Sequence, residues 1–405
     1  MADNSLPVVL VHGYFGSGDS YEWMAKRFTS NGFSSSKIFT FDWNTVLPDA
    51  EKNTVPLKHF IEKVLKQTGA TKVRLVGHSM GGGLVYNFCK DPSNAAMVEN
   101  LVLISAYLSD RSALPDPDLP TLNIWPDTDY VVTDGDSIPG AKNIMLHDID
   151  HNEAAACTET FEEIWKFFYG KSPSTSDASV EAEPVVSGRA VSLIENNISE
   201  GARIEVYAVD PSTGYRLTNT PLHVFYADVN GYWGPMPAEP HTYYEFRVST
   251  GKPGDRPIHF YREPFTHSDH LVYLRTYPPK SSILSAVLSV VPKDNTQSAE
   301  IFFSLSKALW LGRDELTINT TSLTNSTFMD PQLNVLAFFL YDGNKNGRSD
   351  ETSIPLFESL QSLKGADLYF PATTPSSITF NFNRRLLHTP NWPSADEGIS
   401  VAVFE

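Results

Sequence analysis

The sequence predicts an α/β domain on a mostly parallel six-stranded sheet, followed by an all-β region of sandwich or barrel type. Three observations carry this. Over residues 1–170, short and uniformly apolar runs alternate with helix-patterned stretches, as in a parallel sheet covered on both faces. Residues 171–187 are rich in Ser, Pro and acids without a period, and are expected to form a linker. Beyond them the hydrophobic period becomes two, the mark of half-buried strands.

In the first region, Val8–Val11 and Ile38–Phe41 are the first two strand candidates, with a helix pattern from Tyr21 to Phe28 between them. Leu57, Phe60, Ile61, Val64 and Leu65 then share one helical face, with Thr54 and Pro56 suited to its start. Val73–Val76 precedes a helix over about Met80–Lys90, and Leu101–Ser105, Leu122–Trp125 and Ile144–Leu146 complete six runs. A helix from Glu153 to Phe168 closes the unit. Past the linker, Ile204, Val206 and Ala208 alternate with Arg203, Glu205 and Tyr207, and Tyr244, Phe246 and Val248 behave alike. Ile399, Val401 and Val403 repeat the pattern at the C-terminus. Pro278-Pro279 suggests a division into domains 188–278 and 279–405.

Composition narrows the function. Lys and Arg total 31 against 48 Asp and Glu, a net charge of −17, which disfavours nucleic acid and anionic membranes as partners. The two cysteines, Cys89 and Cys157, exclude a disulfide scaffold; they fall on helices expected on opposite sheet faces, hence buried thiols. No apolar run reaches membrane length; Ile283–Val291 and Leu333–Tyr341 are strand-sized. The N-terminus enters a strand without a basic segment, so a signal peptide is expected to be absent or removed, the protein being cytoplasmic or secreted.

The chemistry concentrates in Gly77-His78-Ser79-Met80-Gly81, a G-x-S-x-G string between an apolar strand and a helix. A nucleophile on so tight a turn needs small neighbours, and the helix N-terminus faces a developing oxyanion. His12-Gly13 follows the first strand, so the backbone N–H groups of Tyr14 and Met80 can form a two-donor oxyanion hole. A serine needs a base, and in chain order acid and base should follow it. Asp127 and Asp129 lie after one strand, His147 and His151 after the next. His151 is the better base, being further along the loop. Asp129 is preferred to Asp127 for the same reason, without excluding it. Asp148 and Asp150 are expected to be solvated. Tyr14, Phe15, Tyr107 and Tyr130 lie on adjacent loops, either at a pocket mouth or packed inside.

PVVLVHGYFGSG, GHSMGG, NIWPDTDYVV and GAKNIMLHDIDHNEAA together resemble the motifs of small α/β-hydrolase lipases. The resemblance covers residues 6–170. It implies Ser79 as nucleophile, Asp129 as acid, His151 as base, and Tyr14 and Met80 as oxyanion donors. The two-region layout is similar to archaeal lipases of the Archaeoglobus type, which implies a lipid or ester substrate and lipid contact through the β-rich region. The chain from Trp43 to Ser79 has no room for a large lid. The expected activity is carboxylic ester hydrolysis, with no cofactor required. Polyester, thioester or amide hydrolysis are alternatives on the same fold, and a non-catalytic binding protein is one of another class.

Residues 187–248 resemble transthyretin-like or carboxypeptidase-regulatory-like β-sandwiches. Further on, Asp342, Asn344, Asn346 and Asp350 stand at positions 1, 3, 5 and 9 of a loop with Gly347 at position 6. That matches the front of a calcium loop. Position 12 is Ser353 instead of a bidentate Glu, so a polar hairpin turn is the other reading.

Overall fold

A computed structural model describes residues 5–46, 50–280, 282–332, 334–360 and 362–405. Its contacts divide the chain into Met1–Val180 with Ile194–Asn196, and Glu181–Leu193 with Asn197–Glu405.

The first unit runs β1 (Val8–Val11), α1 (Glu22–Ser30), β2 (Ile38–Phe41), α2 (Ala50–Thr68), β3 (Val73–His78), α3 (Met80–Cys89), α4 (Pro92–Ala95), β4 (Val98–Ile104), β5 (Thr121–Pro126), β6 (Lys142–Leu146) and α5 (Thr158–Tyr169). The sheet order is β2-β1-β3-β4-β5-β6, with every pair parallel. Side chains alternate across a strand, so Val9 and Val11 enter one core with Leu57 and Leu84, while Val8 and Leu10 enter the other with Phe28 and Phe161. Both faces are covered, which is why β1 is apolar throughout. Cys89 and Cys157 lie in different cores as free thiols.

Three local expectations change. Helix α2 starts at Ala50, leaving Pro56 inside it; the buried stripe of Leu57, Ile61 and Val64 outweighs one lost backbone bond. The last helix is split into a 3-10 turn, Glu153–Ala155, and α5, because Cys157 is extended at φ −72°, ψ 160°. The expected linker is tied down where it leaves α5. Ser174 N donates to Asn31 Oδ1 at 2.7 Å, Ser179 N to Ser30 Oγ at 2.9 Å, and Arg27 Nε to Ser176 O at 2.9 Å.

The second unit contains β7 (Val185–Ser192), β8 (Arg203–Val209), β9 (His223–Tyr226), β10 (Tyr232–Pro237), β11 (Tyr243–Ser249), β12 (Ile258–Arg262), β13 (Asp269–Thr276), α6 (Ile283–Ser289), β14 (Glu300–Ser304), β15 (Leu316–Ile318), β16 (Thr321–Ser322), β17 (Ala337–Tyr341), β18 (Leu363–Asp367), β19 (Ser377–Phe382), β20 (Arg385–Pro390) and β21 (Ile399–Phe404). Strand β7 already begins inside the expected linker. The run at Ile283 is a helix, not a strand; of the other apolar run, Ala337–Tyr341 is a strand and Leu333 lies outside the described residues.

The strands form sheets β10-β7-β13, β18-β17-β14-β21-β12-β11-β8-β9 and β16-β15-β19-β20. Strand β21 pairs in parallel with both β12 and β14, so chain from both sides of residue 278 shares one sheet. Phe302, Phe338 and Phe404 of the large sheet meet Ile318, Phe380 and Phe382 of the small one in a common core. Towards β8, β11 and β12 the same face stays buried but becomes polar, since Glu245 pairs with Tyr261 and Tyr207. Glu245 takes both Arg216, at 2.6 and 2.7 Å, and His259 Nδ1, at 2.6 Å; Arg247 reaches Glu205 at 2.7 Å. Pairing is what permits carboxylates there.

Candidate active site

Strand β3 delivers Ser79 to the N-terminus of α3 at φ +55°, ψ −123°, a strained conformation that its surroundings impose. Ser79 N donates to Ile104 O, and Tyr107 N and Gly83 N donate to Ser79 O. A Cβ on Gly77 would stand 2.6 Å from both Gly81 O and Val85 Cγ2, and one on Gly81 would collide with the Val11 and His12 carbonyls. One on Gly13 would stand 2.7 Å from Ser79 Cβ. The loop after β1 therefore lies directly against the turn that carries Ser79.

The loops after β5 and β6 bring Asp129 and His151 together, with His151 Nδ1 donating to Asp129 Oδ2 at 2.7 Å. Both residues are buried, as is Ser79. Asp129 Oδ1 accepts Val131 N and Val132 N, each at 2.8 Å. Burial alone would raise this carboxyl; the His151 bond and the two amides outweigh it and hold it below the usual range. His151 is anchored from the other side by His78, the residue before Ser79, whose Nε2 donates to His151 O at 2.8 Å. Burial, then the proximity of His151, lowers the His78 ring to about 3, so it is neutral at working pH. Among the described residues no hydrogen bond joins Ser79 Oγ to His151; such bonds commonly tighten only with substrate bound.

The competing residues pair with each other. His147 Nδ1 donates to Asp127 Oδ2 at 2.6 Å, with the histidine side chain 66% exposed. They form an exposed hydrogen-bonded pair outside the buried cluster. Asp150 is not solvated as expected. It is fully buried and accepts Asn152 N and Glu153 N at 2.9 and 2.8 Å, fixing the turn that carries His151.

The loop after β1 has supports that its sequence does not announce. His12 is buried; its Nε2 accepts Trp43 N at 3.2 Å, and Trp43 Nε1 donates to His12 O at 3.0 Å. Phe15, at φ +60°, donates its N–H to Thr45 Oγ1 at 3.0 Å. Asn196 Nδ2 donates to Gly16 O at 2.9 Å and to Trp43 O at 3.1 Å, and lies 3.3 Å from His12 Nε2. Asn196 is far from this loop in sequence, so nothing local announces it; in the structure it stands at φ +56°, a region that Asn tolerates.

Beside Met80 a cavity of about 270 Å³ is lined by Trp43, Leu84, Tyr86, Tyr107 and Leu108 among others. Tyr14, Tyr107 and Tyr130 are exposed and Phe15 is half-buried and stacked on Tyr14. None of the four is a core residue, and of them Tyr107 lines the cavity.

Family models match three stretches: Lipase (class 2) over residues 5–101, Lipase C-terminal domain over 183–279, and a further C-terminal-domain model over 296–405. Solved structures are similar over about two-fifths of the chain. One described as a predicted CIB-like hydrolase from Thermoplasma acidophilum is 18% identical, covering 41% of this chain and 86% of its own, at TM-score 0.32. Bacillus anthracis bromoperoxidase is 19% identical, covering 42% and 93%, at 0.33. Aspergillus fumigatus lipase B is 14% identical, covering 43% and 55%, at 0.34.

Proposed function

We propose that this lipase-like α/β hydrolase with a C-terminal domain, a carboxylic ester hydrolase, works through an acyl-enzyme on Ser79. The observation that carries the reading is the buried His151–Asp129 pair at 2.7 Å, anchored through His78 beside a serine held at φ +55°. His151 Nδ1–H is committed to Asp129, which leaves Nε2 to take the Ser79 proton as the hydroxyl attacks the ester carbonyl. The Asp129 carboxylate stabilises the imidazolium so formed. Tyr14 N and Met80 N receive the oxyanion at the α3 N-terminus. His151 returns its proton to the leaving alcohol, and water repeats the sequence to free the acid. The apolar cavity beside Met80 suits the acyl chain of the substrate.

Lipid contact belongs to the second unit in this reading. Leu222, Val224 and Tyr226 point the same way along β9, an edge strand, and are between 41 and 65% exposed; Leu217, Val229 and Tyr232 are exposed as well. An apolar row on an open edge invites association. With a net charge of −17, a neutral lipid surface is the fitting partner.

A fluorophosphonate should label Ser79 in the wild type, and not in Ser79→Ala; absence of labelling would remove the acyl-enzyme mechanism. Val224→Lys with Tyr226→Lys should lower emulsified long-chain ester hydrolysis relative to a dissolved short ester. An unchanged ratio would end the lipid-contact reading.

A further inference from the structure

The loop after β17 is wound as a cation loop would be. Asp342 at position 1 is buried, and accepts Asn346 N at 3.2 Å and Gly347 N at 2.7 Å. Asn344 Oδ1 accepts Asn346 N at 3.0 Å, and Asn346 Oδ1 accepts Arg348 N at 2.8 Å. Gly347 has φ +74°. These bonds alone describe a turn, and the sequence offers only Ser353 where a closing carboxylate is needed.

Asp367 changes that. It ends β18, where Glu351 N donates to Asp367 O at 3.1 Å and Asp367 N to Thr352 O at 2.8 Å. The residue is 4% exposed, and its Oδ1 is buried without a hydrogen-bond partner. Oδ2 lies 3.5 Å from where a Gly343 Cβ would stand, so the carboxyl is aimed at the start of the loop. Asn344 and Asn346 both turn their amide nitrogens to Asp350 Oδ2, at 2.6 and 2.8 Å. Weak donors thus face oxygens that a cation would satisfy better. An unpaired buried carboxylate oxygen is costly and calls for a partner.

We propose that Asp342, Asn344, Asn346, Asp350 and Asp367 form a calcium site, with Asp367 from the neighbouring strand replacing the absent position-12 glutamate. The donors are all oxygen, which selects a hard cation over zinc. Three carboxylates and two amides, with the position-7 carbonyl of Arg348, supply the six oxygens that calcium needs at a minimum. Two neutral ligands place the affinity in the weaker range of such loops, on the order of 10⁻⁵ to 10⁻³ M. The backbone bond from Asp367 N to Thr352 means that the ion would join the loop to β18 and stabilise that end of the large sheet.

The test is calorimetric unfolding of the full chain in chelator and in millimolar calcium, with titration calorimetry of calcium alone. Saturating calcium should raise the melting temperature of the β-rich unit by roughly 3–8 °C. Asp367→Asn should abolish both the rise and the binding heat, while leaving short-ester activity unchanged. If Asp367→Asn does not fold, Asp350→Asn on the exposed side of the loop should weaken binding at least tenfold. No binding heat and no shift for the wild type would overturn the site. Full wild-type calcium response in Asp367→Asn would overturn the role of Asp367.

Discussion

Replacing Asn196 by Ala tests whether the loop after β1 is positioned from a distance. Asn196 supplies Nδ2 bonds to Gly16 O at 2.9 Å and Trp43 O at 3.1 Å. A neutral hydrogen bond contributes about 1 kcal/mol net, and a buried acceptor left unmade costs about 1–3 kcal/mol. Losing both donors should therefore destabilise the hydrolase unit by about 2–4 kcal/mol. More telling is where the loss falls. Gly16 N donates to Gly13 O, so Gly13-Tyr14-Phe15-Gly16 is one turn, and the proposed oxyanion donor Tyr14 N sits in it. Removal of a whole oxyanion donor costs roughly 10²–10³ in kcat, so a loosened one should cost roughly 10–100-fold, with KM nearly unchanged. Asn196→Asp, equal in size but unable to donate when ionised, should do the same. Steady-state kinetics on a soluble ester, the rate of fluorophosphonate labelling and a melting curve make the measurement. A lower melting temperature with unchanged kcat and labelling rate would refute the positioning role. By the same reasoning, a chain ending at Gly170 should lose at least as much kcat on short esters, since it lacks Asn196 and the hydrogen bonds made by Ser174, Ser176 and Ser179.

Ser79→Ala and His151→Ala should each lower ester turnover by roughly three to six orders of magnitude with the fold intact, read by single-turnover kinetics. Asp129→Asn should be severe and Asp127→Asn mild, because Asp127 serves an exposed pair; equal severity would reopen the choice of acid. Gly81→Val should abolish soluble expression or activity, since its side chain meets the β1 carbonyls. In the second unit, burial lowers the His259 ring but the Glu245 and Glu397 bonds outweigh it and raise it above 6.5, while Glu397 is drawn down to about 2 by His259. The His259 contribution is complete below pH 6.5 and lost as pH rises through its raised value. The Glu397 contribution is complete above pH 4.5 and lost as pH falls towards about 2. The melting temperature of that unit should thus peak between those limits, and His259→Gln should flatten the alkaline fall.

The sequence alone determined the parallel sheet, the tight strand-to-helix turn at Ser79 and the chain order of the candidate site residues. Each is written in short-range terms: apolar runs buried on both faces, glycines where a Cβ would strike the backbone, and loop residues following strands in order. The pairing of Asp129 with His151 and of Asp127 with His147 was decided by tertiary structure, because two aspartates two residues apart are distinguished only by the direction of their loop. Asp150 was misjudged for the same reason: a capping carboxylate inside a turn reads like a solvated one. Asn196 and Asp367 were beyond local reading altogether. Each lies near its segment only in space: Asn196 satisfies the Gly16 and Trp43 carbonyls, and Asp367 keeps a buried oxygen without a hydrogen-bond partner.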